Sequence, residues 1–284
     1  MTTYAITGAT GKFGQVALKT LASLVSTSNI IALARNTEKA EELVPAGVTV
    51  RKGDYTDQTS LTASLTGVDK LLFISSQPGA EVSREQQHAN VVVAAKDAGV
   101  KYIAYTSFPD APHATTPLAL DHAFTEKAIS DAGIAHSFLR NNWYLENELG
   151  TIKGAVAGQP FVYSAADGKA GWALEAYYAE AAARVLVADN AKDIYEFSGS
   201  FATYADLASA TKSASGKNFD VLAIDDPAYT AGLKDAGLDD DTAALVTMFQ
   251  TLIRDGNLDV PSTDLVDVLG HPLPELRDQL KTII

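Results

Sequence analysis

Short apolar runs alternate with amphipathic stretches through the first half of the chain. The runs lie at residues 4–7, 30–34, 48–50, 71–74, 102–106 and 136–139. Most of them are continuously apolar, which is typical of strands that are buried on both faces of a parallel sheet. The stretch after the first run repeats apolar residues at helical spacing, at Phe13, Val16, Ala17, Leu21 and Leu24. This alternation predicts an α/β fold with a Rossmann-type, doubly wound parallel sheet.

The pattern changes near residue 145. An Ala-rich helical stretch at 175–187 is followed by short apolar runs at 194–197 and 221–224, a helix capped by Thr203, a helix over 241–254 and a last helix from near Pro274. We predict a Rossmann domain over residues 1–148, joined by a returning segment near 173–199, and a smaller C-terminal α/β lobe over 149–284. The stretch 108–117, which holds three prolines, is predicted to be a loop.

Composition narrows the class of protein. The 284 residues are 46% hydrophobic and 20% charged, which is ordinary for a soluble globular chain. No apolar run approaches the roughly 20 residues that a membrane span needs, and no basic segment precedes the first run. We therefore expect a cytoplasmic protein without membrane insertion. The net charge of −13 repels polyanions and argues against nucleic acid as a partner.

The chain contains no cysteine. This excludes disulfides, thiolate nucleophiles, and zinc or iron–sulfur sites with cysteine ligands. The five histidines show neither the His-x-x-x-His nor the His-Glu-x-x-His spacing of metal ligands. We therefore assign no metal.

Three glycines recur at every third position directly after the first predicted strand, at Gly8, Gly11 and Gly14. Gly8 suits a tight turn, Gly11 allows a pyrophosphate to approach the backbone, and Gly14 allows the helix to pack closely on the sheet. The N-terminus of the following helix supplies N–H groups and a positive dipole end for phosphates. A glycine-rich turn without a ligand is the alternative. The residues assigned to the cofactor here are Gly8, Thr10, Gly11, Lys12, Phe13 and Gly14.

The second predicted strand ends at Arg35, where an NAD-selective enzyme would usually carry Asp or Glu for the ribose 2′-hydroxyl. An arginine pairs instead with the 2′-phosphate of NADP, and a charge-assisted hydrogen bond of about 1.5–3 kcal/mol gives a roughly ten- to hundredfold preference. Lys39 and Lys12 are close in sequence. We predict NADPH as the cofactor; the alternative is a solvated arginine that ends the strand.

Polar and aromatic side chains follow the other apolar runs, at the strand ends where ligands bind in this fold. Asp54 is predicted to border the adenine. The residues predicted to line the ribose and phosphate path are Ser75, Ser76 and Gln77. The candidates for the nicotinamide end are Ser107, Asn141, Asn142, Trp143 and Tyr144. Trp143 and Tyr144 offer a flat platform for a substrate, and Tyr144 is counted as a candidate catalytic residue. For each residue taken alone, ordinary loop chemistry is the alternative.

The chain lacks the Tyr-x-x-x-Lys pair with which short-chain dehydrogenases protonate their substrates. Lys127 follows the fifth run and is predicted to hold the nicotinamide ribose, but Ala123 stands where the tyrosine would be. His122 is a candidate replacement as proton donor, since its ordinary pKa is about 6.5; a structural histidine and a surface lysine are the alternatives. Reduction of a quinone needs no strong acid, because the product charge is delocalised in the ring. The missing tyrosine therefore favours quinone reduction by hydride transfer.

Several segments together resemble the NmrA-like atypical short-chain dehydrogenases/reductases, and within them the bacterial NADPH-dependent quinone oxidoreductase type. The segments are AITGATG (5–11), ARN (34–36), GDY (53–55), LFISS (72–76), YIAYTS (102–107), TEK (125–127), LRNNWY (139–144) and GHP (270–272). Asn142 departs from the glycine that close relatives carry at this position.

The resemblance implies an enzyme that reduces quinones with NADPH, with a small-molecule quinone as partner and a possible homodimer. Some NmrA-like proteins bind the dinucleotide without catalysis and regulate a protein partner. A redox sensor of that kind is the alternative, and the missing tyrosine fits it equally well. Steady consumption of NADPH in the presence of a quinone distinguishes the two.

Overall fold

All six apolar runs of the first half are strands in the computed structural model, which describes residues 1–77 and 81–284. The strands in this part of the chain are β1 (Tyr4–Ile6), β2 (Ile30–Ala34), β3 (Thr49–Lys52), β4 (Lys70–Phe73), β5 (Tyr102–Ser107), β6 (Ala135–Asn141), β7 (Trp143–Tyr144), β8 (Phe161–Tyr163), β9 (Lys169–Ala173), β10 (Ile194–Phe197), β11 (Ser200–Thr203) and β12 (Val221–Ala223). Those after β6 are mostly three to five residues long, and sequence analysis found only two of them, because so short a strand shows no clear period.

The helices in the described ranges are α1 (Lys12–Leu24), α2 (Thr37–Leu43), α3 (Gln58–Leu65), α4 (Arg84–Asp97), α5 (Pro117–Asp131), α6 (Leu149–Val156), α7 (Glu175–Val187), α8 (Tyr204–Ser215), α9 (Asp226–Asp235), α10 (Asp240–Arg254), α11 (Asp264–Leu269) and α12 (Leu276–Leu280). Short 3-10 turns lie at Thr27–Asn29 and Leu145–Glu148. Thr203 caps α8 as predicted, in a reciprocal arrangement with Asp206. None of the helices in these ranges is both long and apolar enough to cross a membrane.

The chain forms two compact units. Unit 1 comprises Met1–Asn141, Glu175–Phe197 and Asp264–Gly270; unit 2 comprises Asn142–Leu174, Ser198–Thr263 and His271–Ile284. The first segment of unit 1 thus ends with β6, seven residues before the predicted boundary at 148. The return of α11 to unit 1 was not predicted from the sequence. Asp264 ties α11 to β10, since its carboxylate accepts from Lys192 Nζ at 2.6 Å and from the N–H of Glu196 at 3.0 Å.

Unit 1 is built on one parallel sheet of seven strands in the order β10-β6-β5-β4-β1-β2-β3. Apolar residues of α3, α4 and α5 share a core cluster with one set of strand side chains, which includes Leu71 and Phe73. The alternate residue Leu72 is equally buried outside that cluster, and α1 and α7 pack on each other and on the strands. The doubly wound Rossmann-type fold is therefore confirmed. The strand order reverses between β1 and β4, and the carboxyl ends of strands at such a point form the ligand crevice of this fold.

Unit 2 contains a three-stranded sheet in the order β11-β9-β7 and a parallel pair of β12 with β8. Its core is aromatic. Trp172 packs edge-on against Tyr204 at 5.2 Å between ring centroids, and Tyr163 stacks on Tyr204 at 5.5 Å. The helices and short strands of this unit form the smaller α/β lobe that the sequence predicts.

Candidate active site

The glycine loop between β1 and α1 shows which glycines the fold itself requires. Gly8 has a φ of +62°, a left-handed conformation that favours glycine. A Cβ on Gly14 would lie 2.3 Å from the carbonyl oxygen of Gly8, so no side chain fits where the helix passes the loop. A Cβ on Gly11 would lie 3.4 Å from the same oxygen, which is an ordinary contact. The space beside Gly11 is therefore not needed by the fold and suits a ligand.

The N-terminus of α1 is suited to an anion. Gly11 is the N-cap residue, no side chain among the described residues caps the helix, and the first turn carries no acidic residue. The positive end of the helix dipole is thus not offset locally. Lys12 is exposed and Phe13 is buried. The carbonyl of Thr10 accepts from Gln15 Nε2 at 3.0 Å, which stiffens the loop.

The ends of β2 and β3 carry the residues predicted for the 2′-phosphate and the adenine. Arg35 and Lys39 are exposed, and neither forms a salt bridge with a described residue. Lys52 Nζ donates to the carbonyl of Arg35 at 2.8 Å. Partial burial raises the pKa of Asp54, but hydrogen bonds from Thr56 and the charges of Lys52 and Arg35 outweigh it and lower the pKa overall. Two cations, Lys52 and Arg35, therefore favour the ionised form of the Asp54 carboxylate.

The loop after β4 borders the glycine loop. The side chain of Ile74 lies 3.6 Å from the position that a Cβ on Gly8 would take. The N–H of Ile74 donates to Thr7 Oγ1 at 2.9 Å, and the hydroxyls of Thr7 and Tyr55 lie 2.5 Å apart. Tyr55 also donates to the carbonyl of Ile74 at 2.7 Å. The two loops at the reversal point of the sheet are thus joined through the buried Thr7 and the half-buried Tyr55.

The next two residues of this loop are held in the same way. The N–H of Ser75 donates to Thr106 Oγ1 at 2.9 Å, and the N–H of Ser76 donates to His88 Nε2 at 3.0 Å. Ser75 and Ser76 are half-buried, and Gln77 is exposed. Their contacts with a cofactor stay predictions, but the structure brings all three to the edge of the sheet that carries the glycine loop.

The hydroxyl of Ser107 is committed to a buried ionic cluster. It donates to Glu126 Oε1 at 2.6 Å, and Arg140 clamps both oxygens of Glu126 at 2.9 and 2.8 Å. Arg140 also donates to Glu196 Oε1 at 2.8 Å. Burial lowers the pKa of Arg140, but its bonds to Glu126 and Glu196 raise it overall. This cluster joins α5 to the ends of β5, β6 and β10, so the Ser107 side chain positions backbone rather than standing open to a ligand.

Lys127 lies outside this cluster. Its side chain is 73% exposed and its Nζ pairs with Asp131 at 2.6 Å, one turn further along α5. The buried face of α5 instead carries His122, Thr125 and Glu126. The helix therefore directs Glu126 toward Ser107 and Lys127 into solvent, which does not favour the predicted anchoring of the nicotinamide ribose. The sequence motif did not show which of Glu126 and Lys127 faces the sheet. Adjacent residues of a helix point about 100° apart, so the packing of the helix decides which of them is buried.

His122 is buried in a hydrogen-bonded network. Arg84 Nη2 donates to its Nε2 at 3.2 Å, so its Nδ1 carries the hydrogen and donates to the hydroxyl of Tyr105 at 2.9 Å. Arg84 also pairs with Asp121 at 3.1 Å. Burial, and then the charge of Arg84, hold the pKa of His122 well below its usual value. A neutral ring with both nitrogens engaged does not suit the predicted role of proton donor.

The other candidates follow β6. Asn141 is the buried last residue of that strand in unit 1, while Asn142, Trp143 and Tyr144 belong to unit 2. Asn142 Oδ1 accepts the N–H of Gly171 at 2.8 Å and its Nδ2 donates to the carbonyl of Leu258 at 3.0 Å. The Asn142 amide thus joins two segments of unit 2, which is a structural use of this side chain.

Trp143 is a core residue of unit 2. Its indole N–H donates to Glu148 Oε1 at 2.9 Å, and its ring meets Phe249 edge-on at 5.3 Å. Tyr204 donates to the same Glu148 oxygen at 2.9 Å. Burial raises the pKa of Glu148, although the bonds from Trp143 and Tyr204 oppose this. Of the predicted aromatic platform, only Tyr144 is partly exposed.

Several residues that pack behind the candidate site and support it were not predicted from the sequence. Glu126, Arg84 and His88 are polar residues that are almost completely buried in unit 1. The only signal was their place on the apolar faces of α4 and α5, where a polar residue needs a partner. The partner itself could not be found, because it lies far away along the chain.

The chain is similar along nearly its whole length to proteins of known activity. Residues 8–151 match the NAD(P)H-binding family. Quinone oxidoreductase 2 of Escherichia coli is 40% identical over 278 residues, which are 97% of this chain and 96% of that protein. The crystal structure of the NADPH-dependent quinone oxidoreductase from Escherichia coli complexed with NADPH has a TM-score of 0.93 at 39% identity and covers 99% of both chains.

A second reductase has the same fold. The triphenylmethane reductase of Citrobacter complexed with NADP(H) has a TM-score of 0.94 at 34% identity, with 99% of this chain and 100% of that chain covered. The glycine loop, the strand order and these similarities all indicate the same family. The chain belongs to the NAD(P)H-binding, NmrA-like atypical short-chain dehydrogenases/reductases of the quinone oxidoreductase type.

Proposed function

We propose that the protein is an enzyme that reduces quinones with NADPH by direct hydride transfer. The observation that carries this proposal is the 40% identity to quinone oxidoreductase 2 over 278 residues, in a chain whose own glycine loop leaves the space beside Gly11 open. The alternative of a non-catalytic redox sensor has no comparable support.

The residues of unit 1 fit the cofactor. The loop from Gly8 to Gly14 and the start of α1, which no described side chain caps, suit the pyrophosphate, and the exposed guanidinium of Arg35 suits the 2′-phosphate. Asp54, Ser75 and Ser76 complete this edge of the sheet. Bound NADPH supplies the hydride, and the protein supplies position.

Reduction of a quinone to a hydroquinone consumes one hydride and one proton. His122 is neutral and its one N–H is bound to Tyr105, while Lys127 pairs with Asp131 in solvent. We infer that water delivers the proton, because the hydroquinone anion spreads its charge over the ring and needs no strong acid. The value of kcat should therefore change little between about pH 6 and pH 8.

The test is oxidation of NADPH, followed at 340 nm with a panel of small quinones and with NADH run alongside. Rapid turnover with NADPH and slow turnover with NADH is the expected result. Tight binding of NADPH with no turnover on any quinone would overturn catalysis and support the redox sensor.

We also propose that the protein works in the cytoplasm and forms a homodimer. Leu120 and Phe124, one turn apart on α5, are 60% and 39% exposed and offer an apolar surface for association. Sedimentation of the purified chain tests the homodimer, because a single species with the mass of one chain, 30.0 kDa, would contradict it.

A further inference from the structure

His88 is a buried polar residue that the proposed reaction does not use. It lies on α4, between the loop after β4 and helix α5, and it has no exposed surface. Its ring meets Phe73 edge-on at 5.1 Å between centroids and Tyr105 edge-on at 5.8 Å. These contacts on the ring fix its orientation, so its two nitrogens point in set directions.

The neighbours of His88 determine which nitrogen carries the hydrogen. The backbone N–H of Ser76, 3.0 Å away, can only donate, so Nε2 accepts. Nδ1 is then protonated and donates to Thr125 Oγ1 at 2.7 Å. The hydroxyl of Thr125 in turn donates to the carbonyl of Asp121 at 2.7 Å. One directed chain of hydrogen bonds thus runs from the β4 loop through α4 to α5.

The ring stays neutral in the folded protein. Burial, together with the positive charge of Arg84, lowers the pKa of His88 to about 3. A protonated ring would turn Nε2 into a donor facing the N–H of Ser76. The acceptor for this loop is therefore constant over the pH range in which proteins work.

His88 binds the Ser76 end of the loop after β4, where Ser75 and Ser76 are predicted to border the cofactor. Ile74 and Ser75 hydrogen-bond to threonine hydroxyls, which can rotate, whereas the acceptor for Ser76 is a rigid ring. The Ser76 hydroxyl lies 3.1 Å from the same Nε2. Because that nitrogen has one lone pair and already accepts the N–H, the hydroxyl keeps the capacity to bond a ligand.

We propose that His88 is a positioning residue for NADPH: its Nε2 fixes the backbone of Ser76, which places the Ser76 hydroxyl for bonding to the dinucleotide, and its Nδ1 fixes the ring through Thr125. This inference rests on the proposed function, in which Ser76 borders the cofactor. It predicts that the acceptor at the Nε2 position is essential, whereas the imidazole ring as such is not.

Two substitutions test the roles of the two ring nitrogens separately. The amide of His88→Gln reaches the Nε2 position and keeps an acceptor for Ser76, whereas the shorter His88→Asn reaches only the Nδ1 position and keeps the contact with Thr125. Binding of NADPH is measured by calorimetry, with KM and kcat for both variants and a thermal unfolding curve for each. His88→Asn should raise the Kd and KM for NADPH at least about fivefold with kcat within about twofold, and His88→Gln should restore binding to within about twofold of the wild type.

Equal affinity for NADPH in the two variants would overturn the proposal, because His88 would then only fill the core. A fall in kcat with unchanged Kd would overturn it as well. If His88→Asn does not fold, nitrogen NMR of the wild-type protein decides: a neutral ring with hydrogen on Nδ1 supports the proposal, and hydrogen on Nε2 refutes it. A wild-type protein that binds no NADPH in the same calorimetry would overturn the proposed function itself.

Discussion

Alanine at Gly11 should separate cofactor binding from folding. Gly11 has a φ of −75°, which alanine adopts without strain, and among the described residues the added Cβ would meet only the carbonyl oxygen of Gly8, at 3.4 Å. The unliganded protein should lose about 1 kcal/mol or less, from the weaker N-cap preference of alanine. This corresponds to a fall in Tm of about 2–4 °C or less in a chain of this size.

Binding should respond far more strongly. The new methyl group occupies the space beside the uncapped N-terminus of α1 and pushes a phosphate away from the helix N–H groups. Loss of one charge-assisted hydrogen bond, about 1.5–3 kcal/mol, raises the Kd for NADPH roughly ten- to hundredfold. Calorimetric titration with NADPH measures this, alongside thermal unfolding with and without the cofactor.

Gly14→Ala is the matched control with the opposite signature. Its Cβ would lie 2.3 Å from the Gly8 oxygen, so the loop or the helix must move by about an ångström. Such overpacking costs about 1–3 kcal/mol, offset in part by the higher helix propensity of alanine, and should lower the Tm without NADPH. If Gly11→Ala bound NADPH within twofold of the wild type, or unfolded as easily as Gly14→Ala, the reasoning from this geometry would be wrong.

Three further predictions concern charges in unit 1. Arg35→Asp should weaken the binding of NADPH at least about tenfold more than the binding of NADH, with Lys19→Asp on α1 as the charge-matched control. Equal effects on the binding of both cofactors would refute the assignment of Arg35 to the 2′-phosphate. Lys127→Ala should change the Kd for NADPH less than about twofold, because the lysine pairs with Asp131 in solvent. A tenfold loss of affinity for NADPH would instead support the role at the nicotinamide ribose that the sequence predicts. Burial lowers the pKa of His88 to about 3, so below about pH 6.5 the unfolded chain binds a proton that the folded ring does not. On acidification from about pH 7.5 to pH 5, His88 alone should account for a loss of about 2 kcal/mol of unfolding free energy, in addition to the loss from the buried His122. Urea unfolding measures this loss, and His88→Gln should show less of it; an identical pH dependence would contradict the assignment.

The strands of unit 1 and the helices α1 and α7 were predicted correctly because their signals are local. A strand buried on both faces is continuously apolar, and α1 shows its apolar face within 13 residues. The signal of the glycine loop is equally local, because glycine is required at Gly8 and Gly14 by the backbone of the same turn. The short strands of unit 2 and the return of α11 to unit 1 had no such signal and depend on partners elsewhere in the chain.

The site residues also divide into those with a local signal in the sequence and those that depend on distant partners. The amino-acid sequence by itself determined the Rossmann sheet, the glycine loop and the basic residue after β2, because periodicity, glycine and charge act on immediate neighbours. Only the tertiary structure decided that Ser107 bonds to Glu126, that His122 is bound between Arg84 and Tyr105, and that Lys127 faces solvent. The bond between Ser107 and Glu126 spans 19 residues, and that between Arg140 and Glu196 spans 56. A buried polar group must find a partner or lose free energy, but which partner it finds depends on how the strands and helices pack.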